Sequence, residues 1–134
     1  MTAASPVEVV DAYFAGVRAG DAGAVSALFA EDALLHNAAG TLTGAEAISR
    51  MYFGGLAPGA MSPSPRHVIA DGENVAVEID LHTAGSTVVL GDFFTVRNGK
   101  IVRLAIYSLS PDGGRLLNKV GVDPTSSSTS RKDQ

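Results

Sequence analysis

One acidic residue stands inside the most hydrophobic stretch of the chain. Asp92 interrupts the run TVVLGDFFTV at residues 87–96, where its neighbours are mostly aliphatic or aromatic. If the side chain faces the interior, the loss of hydration raises the pKa of the carboxyl and favours the neutral acid. A neutral carboxylic acid can donate a hydrogen bond, so Asp92 is the first candidate for chemistry.

Two other polar residues are candidates for the same site. Tyr13 falls on the apolar face of the first predicted helix, where it either packs in the core or offers a functional hydroxyl. Asn37 ends a short predicted strand, where it either forms a turn or points a polar group into a cavity. The sequence leaves both pairs of alternatives open.

Four further residues have side chains that could act as an acid or a base. They are His36, next to Asn37, and Glu78, Asp80 and His82 on one later strand. On that strand the three polar residues alternate with an aliphatic set, so one set faces the interior. Burial of apolar side chains favours the aliphatic set inside. In the alternative the acids face a pocket, where the two carboxyls would have to share a proton.

Three helices are predicted in the first half of the chain. The first begins at Ser5-Pro6 and ends at Gly20, because proline suits the first helical position and glycine the left-handed cap. The second is short and carries Phe29 on its inner side. The third is predicted to be capped by Thr43.

Strands are predicted in the second half. A short strand covers residues 33–37, and residues 40–44 form a turn or a second short strand. The prolines and glycines of residues 54–65 predict a loop without regular structure. Four strands bounded by turn signals then follow at residues 66–70, 74–83, 87–97 and 100–109. Helices followed by a meandering sheet define an α+β domain at residues 6–111, with a short turn and a disordered tail at 112–134.

The composition excludes several classes of function. The chain has 134 residues, enough for one domain, and a formal net charge of −4, which argues against nucleic-acid binding. It has no cysteine and no apolar run long enough to span a membrane. Two scattered histidines, His36 and His82, do not make a metal site. We expect a cytoplasmic protein without metal or cofactor whose rather apolar surface is partly covered in a homodimer.

Three segments carry a resemblance to a known family. They are VVDAYFAGVRAGDAGAVSALFAEDALLHNAAG, TGAEAISRMYF and GDFFTVRNGKIV. The chain resembles the ketosteroid isomerase and SnoaL-like polyketide cyclase group of the nuclear transport factor 2-like (NTF2-like) superfamily over residues 7–109. The resemblance implies a cone-shaped α+β fold, in which three N-terminal helices pack on a curved antiparallel or mixed sheet.

The resemblance also assigns roles to single residues. Tyr13 and Asp92 match the isomerase pair that donates hydrogen bonds to a developing oxyanion, and Tyr52 matches a tyrosine that supports the first one. Asn37 occupies the position of the catalytic aspartate base, and an amide cannot take a proton there. The implied function is a small-molecule isomerase or cyclase with an apolar pocket for a polycyclic or terpenoid-like carbonyl compound. The residues expected to bind the substrate are Tyr52, Phe29, Phe94 and Leu35.

Three alternatives accompany this interpretation. Limonene-1,2-epoxide hydrolase, in the same superfamily, has an asparagine at the Asn37 position and an acid at the Asp80 position, but its arginine and second aspartate are replaced here by Glu78 and Ile106. A protein that binds a hydrophobic ligand without converting it would also fit Asn37. The third alternative is a dimeric adaptor, as nuclear transport factor 2 is, with a pocket filled by side chains.

Overall fold

The computed structural model describes residues 3–109, and the predicted turn and tail at 112–134 lie outside them. Within these residues, three helices and six strands follow one another. In order they are α1 (Pro6–Ala19), α2 (Ala22–Ser26), β1 (Phe29–Asn37), β2 (Gly40–Thr43), α3 (Ala45–Gly55), β3 (Ser62–Asp71), β4 (Asn74–Thr83), β5 (Ser86–Arg97) and β6 (Lys100–Ser108). The predicted α+β class is confirmed.

The first helix has both of its predicted ends. The Ser5 hydroxyl accepts a hydrogen bond from the Glu8 backbone N–H, and the Glu8 carboxylate accepts one from Ser5 N–H, which completes a capping box. Gly20 ends the helix in the left-handed conformation, with φ of 67°. These caps fix the orientation of α1, which carries Tyr13 on its buried side.

The six strands form one mixed sheet. The strand order is β2-β1-β6-β5-β4-β3; β1 and β6 run parallel, and all other neighbours are antiparallel. The parallel pair is possible because the helices and other strands connect β1 to β6 by a long crossover. Helices α1 and α3 contact strands of the sheet, and the alternating burial along β4 and β5 shows that one face is covered and the other is more exposed.

The aliphatic set of β4 faces the covered side of the sheet. Val75, Val77, Ile79 and Leu81 are each at most 5% exposed, while the residues between them are more accessible. This confirms the orientation favoured by hydrophobic burial. The same alternation on β5 places Leu90, Asp92 and Phe94 inside.

Two boundaries in the N-terminal half differ from the sequence prediction. Phe29 opens β1 instead of lying on the second helix, which already ends at Ser26. The pairing of β1 with β6 shifts register between Phe29 and Leu34. The first residues of β1 therefore do not alternate regularly between buried and exposed, and such alternation is the pattern that predicts a strand. Thr43 does not cap α3, because it ends β2 and pairs there with Leu34 of β1. Gly44 takes the cap position, and no side chain forms a hydrogen bond there.

The predicted loop at residues 54–65 is shorter than expected. Helix α3 continues to Gly55, and β3 begins at Ser62, so the strand contains Pro63 and Pro65. Proline cannot donate to a neighbouring strand, but β3 is the last strand of the sheet and pairs only with β4. The two prolines led the sequence analysis to predict a loop here, and the edge position explains why a strand can contain them.

No helix among residues 3–109 is long and apolar enough to cross a membrane.

We predict that Gly20→Ala destabilises the protein. An added Cβ would cost about 1–2 kcal/mol at this positive φ and would also collide with backbone atoms of Ala57 and Pro58 in the loop after α3. The matched control is Gly23→Ala, where the new methyl group meets only ordinary van der Waals contacts. Urea denaturation followed by circular dichroism measures both variants. Equal unfolding free energies for the two would contradict the prediction.

Candidate active site

A cavity lies between helices α1 and α3 and the covered face of the sheet. Its volume is about 60 Å³, room for a few water molecules, and it opens toward the surface. The lining is mostly apolar, and its polar side chains are Tyr13, Asn37, Tyr52 and Asp92. The remaining lining residues are Phe14, Val17, Met51, Gly55, Leu56, Met61, Pro63, Ile79, Leu81, Leu90 and Ile106.

Two tyrosines from different helices meet in this cavity. The hydroxyl oxygens of Tyr13 on α1 and Tyr52 on α3 lie 2.7 Å apart, within hydrogen-bond distance. Burial is the main cause that raises the pKa of both phenols, so both keep their protons at neutral pH. One hydroxyl proton is used between them, and the other remains free to be donated to a third group.

Asp92 is the buried carboxyl that the sequence singles out. It is only 3% exposed, and no residue among 3–109 forms a hydrogen bond to its Oδ1 atom. Desolvation raises the pKa of Asp92 from its usual 3.8 to about 8. At neutral pH the side chain is therefore mainly a neutral acid, able to donate a proton into the cavity.

Asn37 fulfils both of its sequence interpretations. Its Oδ1 atom accepts a hydrogen bond from the Ala39 backbone N–H at 2.9 Å, so the side chain forms the turn after β1. The residue also lines the cavity. The amide nitrogen can donate to a ligand, and the oxygen keeps a second lone pair with which it could accept.

The other acid and base candidates are not in the cavity lining. Glu78, Asp80 and His82 lie on the open face of β4; Asp80 is 3.4 Å from Arg66, and His82 Nδ1 is 3.0 Å from the Thr87 hydroxyl. The alternative in which these residues face the cavity under the helices is wrong, because the aliphatic set occupies that side; Glu78 instead borders a shallow groove on the open face.

His36 is also outside the cavity lining. It precedes Asn37 and therefore points to the other face of β1, where its Nδ1 atom lies 2.9 Å from the Thr41 hydroxyl. Among residues 3–109, no three histidine, aspartate or glutamate side chains come close enough to hold a metal ion.

The structure places the expected substrate-binding residues differently from the prediction. Of the four, Tyr52 lines the cavity, while Phe29, Phe94 and Leu35 are packed in the core outside its lining. The ring centroids of Phe94 and Phe29 lie 5.2 and 6.3 Å from that of Tyr13, with the planes nearly perpendicular. These two aromatic rings pack against Tyr13 and restrict the position of its ring.

The apolar side chains that do line the cavity escaped the sequence analysis. Ile79, Leu81 and Leu90 follow from the alternation of β4 and β5 once the covered face is known. Met51 lies on the predicted apolar side of α3 and Met61 in the segment before β3, and the sequence does not indicate that either borders a cavity. Methionine is flexible and adapts to irregular spaces, which suits the rim of a pocket.

Comparison with known proteins identifies similar chains. A family model described as a SnoaL-like domain matches residues 10–104. No curated protein matches the chain. An NTF2-like protein of unknown function from Cytophaga hutchinsonii superposes with a TM-score of 0.71 at 15% identity, covering 84% of this chain and 96% of that chain.

Two further solved structures share the fold. A proposed ketosteroid isomerase from Kribbella flavida has a TM-score of 0.70 and 21% identity, covering 78% of each chain. A proposed polyketide cyclase from Sinorhizobium meliloti has a TM-score of 0.64 and 27% identity, covering 74% of this chain and 93% of that chain. The NTF2-like architecture expected from the sequence is confirmed.

We predict that Asp92 makes the stability of the protein fall as the pH rises. The native carboxyl keeps its proton up to about pH 8, whereas the unfolded chain loses it near its usual pKa of 3.8. Between these values the native state binds more protons, so the unfolding free energy should fall by about 1.4 kcal/mol per pH unit and level off above the native pKa.

The measurement is urea denaturation across this pH range for the wild type and Asp92→Asn. The variant lacks the ionising group, so its stability relative to the wild type should grow with pH. Glu31→Gln, which removes an exposed carboxyl on β1, is the control and should follow the wild-type slope. Parallel curves for the wild type and Asp92→Asn would contradict a neutral buried acid.

Proposed function

Because the chain belongs to the SnoaL-like domain family, we propose that it is a small-molecule isomerase or cyclase acting on a carbonyl compound. The observation that carries this proposal is the buried Asp92, which lines an apolar cavity together with the Tyr13–Tyr52 pair. In its neutral form Asp92 donates one hydrogen bond to the substrate oxygen. The tyrosine pair supplies a second through its free proton, with Tyr52 supporting Tyr13.

The chemistry follows from where negative charge develops. When a carbon next to a carbonyl loses a proton, the charge moves to the oxygen, and donors already in position stabilise that oxygen without reorganisation. The apolar lining strengthens these hydrogen bonds by excluding water. The same environment keeps Asp92 neutral. An apolar site has the same effect in ketosteroid isomerase, where it keeps an aspartic acid protonated so that it can donate a hydrogen bond. Asn37 orients the substrate or a water molecule.

The size of the cavity supports a particular mode of binding. At about 60 Å³ it has room for the carbonyl group of a substrate and the atoms next to it, while the rest of a polycyclic or terpenoid-like compound would extend through the mouth. Leu56 and Met61, from the segment between α3 and β3, would contact the part that extends outward. The start of β3, which follows this segment, is fastened to α1, since the Arg18 guanidinium donates to the Pro63 carbonyl oxygen at 3.0 Å.

A second candidate function is supported by Asn37. Apart from Asp92, no residue in the described cavity lining has a side chain that could act as a base near neutral pH. A protein that binds a hydrophobic carbonyl compound without converting it would need the cavity and the donors but no base. The epoxide hydrolase alternative has no comparable support, because Asp80 lies on the other face of the sheet.

We predict that Asn37→Asp creates or raises isomerase activity. The new carboxylate would stand at the family's base position and retain the oxygen that accepts from Ala39 N–H. A positioned base contributes about 10²- to 10⁴-fold to such a reaction. The assay follows the conversion of 3-cyclohexen-1-one to 2-cyclohexen-1-one through the ultraviolet absorbance of the conjugated product. The rate should decline above about pH 8, where Asp92 ionises.

The control is Asn74→Asp, the same change at an exposed position on the open face of β4. Adding Asp92→Leu to Asn37→Asp should remove most of the gain, because the oxyanion then loses a donor. If Asn37→Asp folds and converts the enone no faster than the Asn74→Asp control, the proposed oxyanion site is wrong. Binding of the enone by the wild type without conversion would favour the carrier.

We further propose that the open face of the sheet joins two copies of the chain. Phe93, Tyr107 and Ile69 are 48%, 57% and 57% exposed there, and they line a shallow groove of about 310 Å³. Phe93 and Tyr107 pack edge to face, with their ring centroids 5.6 Å apart. Such an exposed apolar area is typical of an interface, and a second copy would cover it symmetrically.

We predict that Phe93→Glu yields a monomer. The side chain is exposed in one copy, so the change should leave the fold intact while placing a charge in the centre of the interface. Phe53→Glu on α3 is the matched control, since Phe53 is 63% exposed but lies on a helix away from the open face. Light scattering after size-exclusion chromatography measures the mass. A monomeric wild type would refute the interface.

A further inference from the structure

One side of the cavity is bounded by a segment without regular secondary structure. Residues 56–61, here called the α3–β3 segment, join α3 to β3 and contribute Leu56 and Met61 to the lining. The other lining residues lie on helices and strands, which regular backbone hydrogen bonds hold in place. The α3–β3 segment is therefore the side of the cavity that can move at the lowest cost.

The backbone hydrogen bonds of this segment are local. Within residues 3–109 they run from Leu56 N–H to the Tyr52 carbonyl oxygen at 2.8 Å and from Ala60 N–H to the Ala57 carbonyl oxygen at 3.0 Å. Neither bond ties the segment to α1 or to the sheet, and the middle of the segment is exposed to solvent. Segments with few buried contacts and an exposed backbone open at a lower free-energy cost than the core.

Two contacts fasten the segment to the end of α1. The Arg18 guanidinium donates to the Pro63 carbonyl oxygen at 3.0 Å, directly after the segment. This hydrogen bond has a charged donor and is stronger than one between neutral groups. Gly20, which ends α1, lies so close to the backbone of Ala57 and Pro58 that a Cβ would overlap them. The end of α1 therefore determines where the segment lies over the cavity.

Glycines stand where the segment would bend. Gly54 and Gly55 end α3 directly before it, and Gly59 lies within it with φ of 79°. A hinge takes up changes in φ and ψ, and glycine has the most freedom to do so. On the side of the sheet, Met61 packs against an apolar cluster of β4 and β5, a contact without fixed direction. The segment can thus leave the sheet without breaking backbone hydrogen bonds to it.

We propose that the α3–β3 segment is a lid over the cavity and that Arg18 is the positioning residue that holds it closed. With the lid closed, the cavity of about 60 Å³ has room for a few water molecules. When the lid lifts from Gly20, the cavity widens on the side of Leu56 and Met61, and a larger apolar ligand can enter. The inference goes beyond the proposed function, because a ligand that is bound without conversion would pass the same lid.

The experiment measures how fast a thiol under the lid reacts with a reagent from the solvent. The chain has no cysteine, so Leu81→Cys gives the full-length protein a single thiol; Leu81 lines the cavity and is 5% exposed. The reagent is dithiobis(nitrobenzoic acid) at neutral pH, and the absorbance of the released thiolate follows the reaction. Val75→Cys is the matched control, because Val75 is 1% exposed on the same face of β4 but is not among the cavity-lining residues.

Arg18→Met should make the thiol of Leu81→Cys react about tenfold faster. The loss of one hydrogen bond with a charged donor raises the population of the open lid by about that factor. The thiol of Val75→Cys should react at the same rate with and without Arg18→Met. Arg50→Met should change neither rate, since it removes an exposed arginine of α3 whose partner, at 3.3 Å, is Glu46 on the same helix.

Two results would overturn the inference. One is an unchanged reaction of the thiol in Leu81→Cys when Arg18→Met is added. The other is an equal acceleration at Val75→Cys, which would mean that the whole fold has loosened. Urea denaturation shows whether each variant is folded, and Ile106→Cys, on β6 in the lining of the same cavity, replaces Leu81→Cys if that variant is not. No substrate is used, so either outcome is independent of the proposed function.

Discussion

The exclusion of water from Asp92 is the constraint on which the site depends. The residue sits on β5 in the middle strands of the sheet, and the helices α1 and α3 close over the face to which it points. A buried charge without a partner would cost several kcal/mol, so the carboxyl remains protonated. The feature that makes Asp92 unfavourable for stability is therefore the one that makes it a donor. A lining rich in polar and charged side chains would lower the cost of ionising Asp92, and the carboxyl would then lose the proton that it donates.

The tyrosine pair shows how distant elements converge on this point. Tyr13 and Tyr52 are 39 residues apart in the chain, and each occupies the buried side of its own helix. Phe29 and Phe94 fix the Tyr13 ring, while Phe14 packs against Phe94 with ring centroids 5.8 Å apart. The hydroxyl is thus positioned by packing rather than by polar contacts alone, which suits a donor that must not move during the reaction.

The sequence predicts the strands whose pattern is local and misses those that depend on a neighbour. Alternation groups the aliphatic residues of β4 on one face and Asp92 of β5 with Leu90 and Phe94, and burial of apolar side chains favours the covered side for both groups. In contrast, Pro63 and Pro65 are acceptable only because β3 has one partner, and the partner is not visible in the sequence. Thr43 has the right type for a cap, but pairing with β1 holds it in a strand. Which apolar residues border a cavity is likewise decided by packing, as Phe94 and Met61 illustrate.

The prolines of β3 also affect strand pairing at this edge of the sheet. The last strand of a sheet normally presents free N–H groups that can recruit a strand from another molecule. Here Pro63 and Pro65 supply no N–H group, and the register shifts between Pro65 and His67. Strand-to-strand extension is thus discouraged at this margin, even though the chain displays aromatic rings on an open face. In the face-to-face pair proposed above, β3 would therefore be a poor place for a further strand to add.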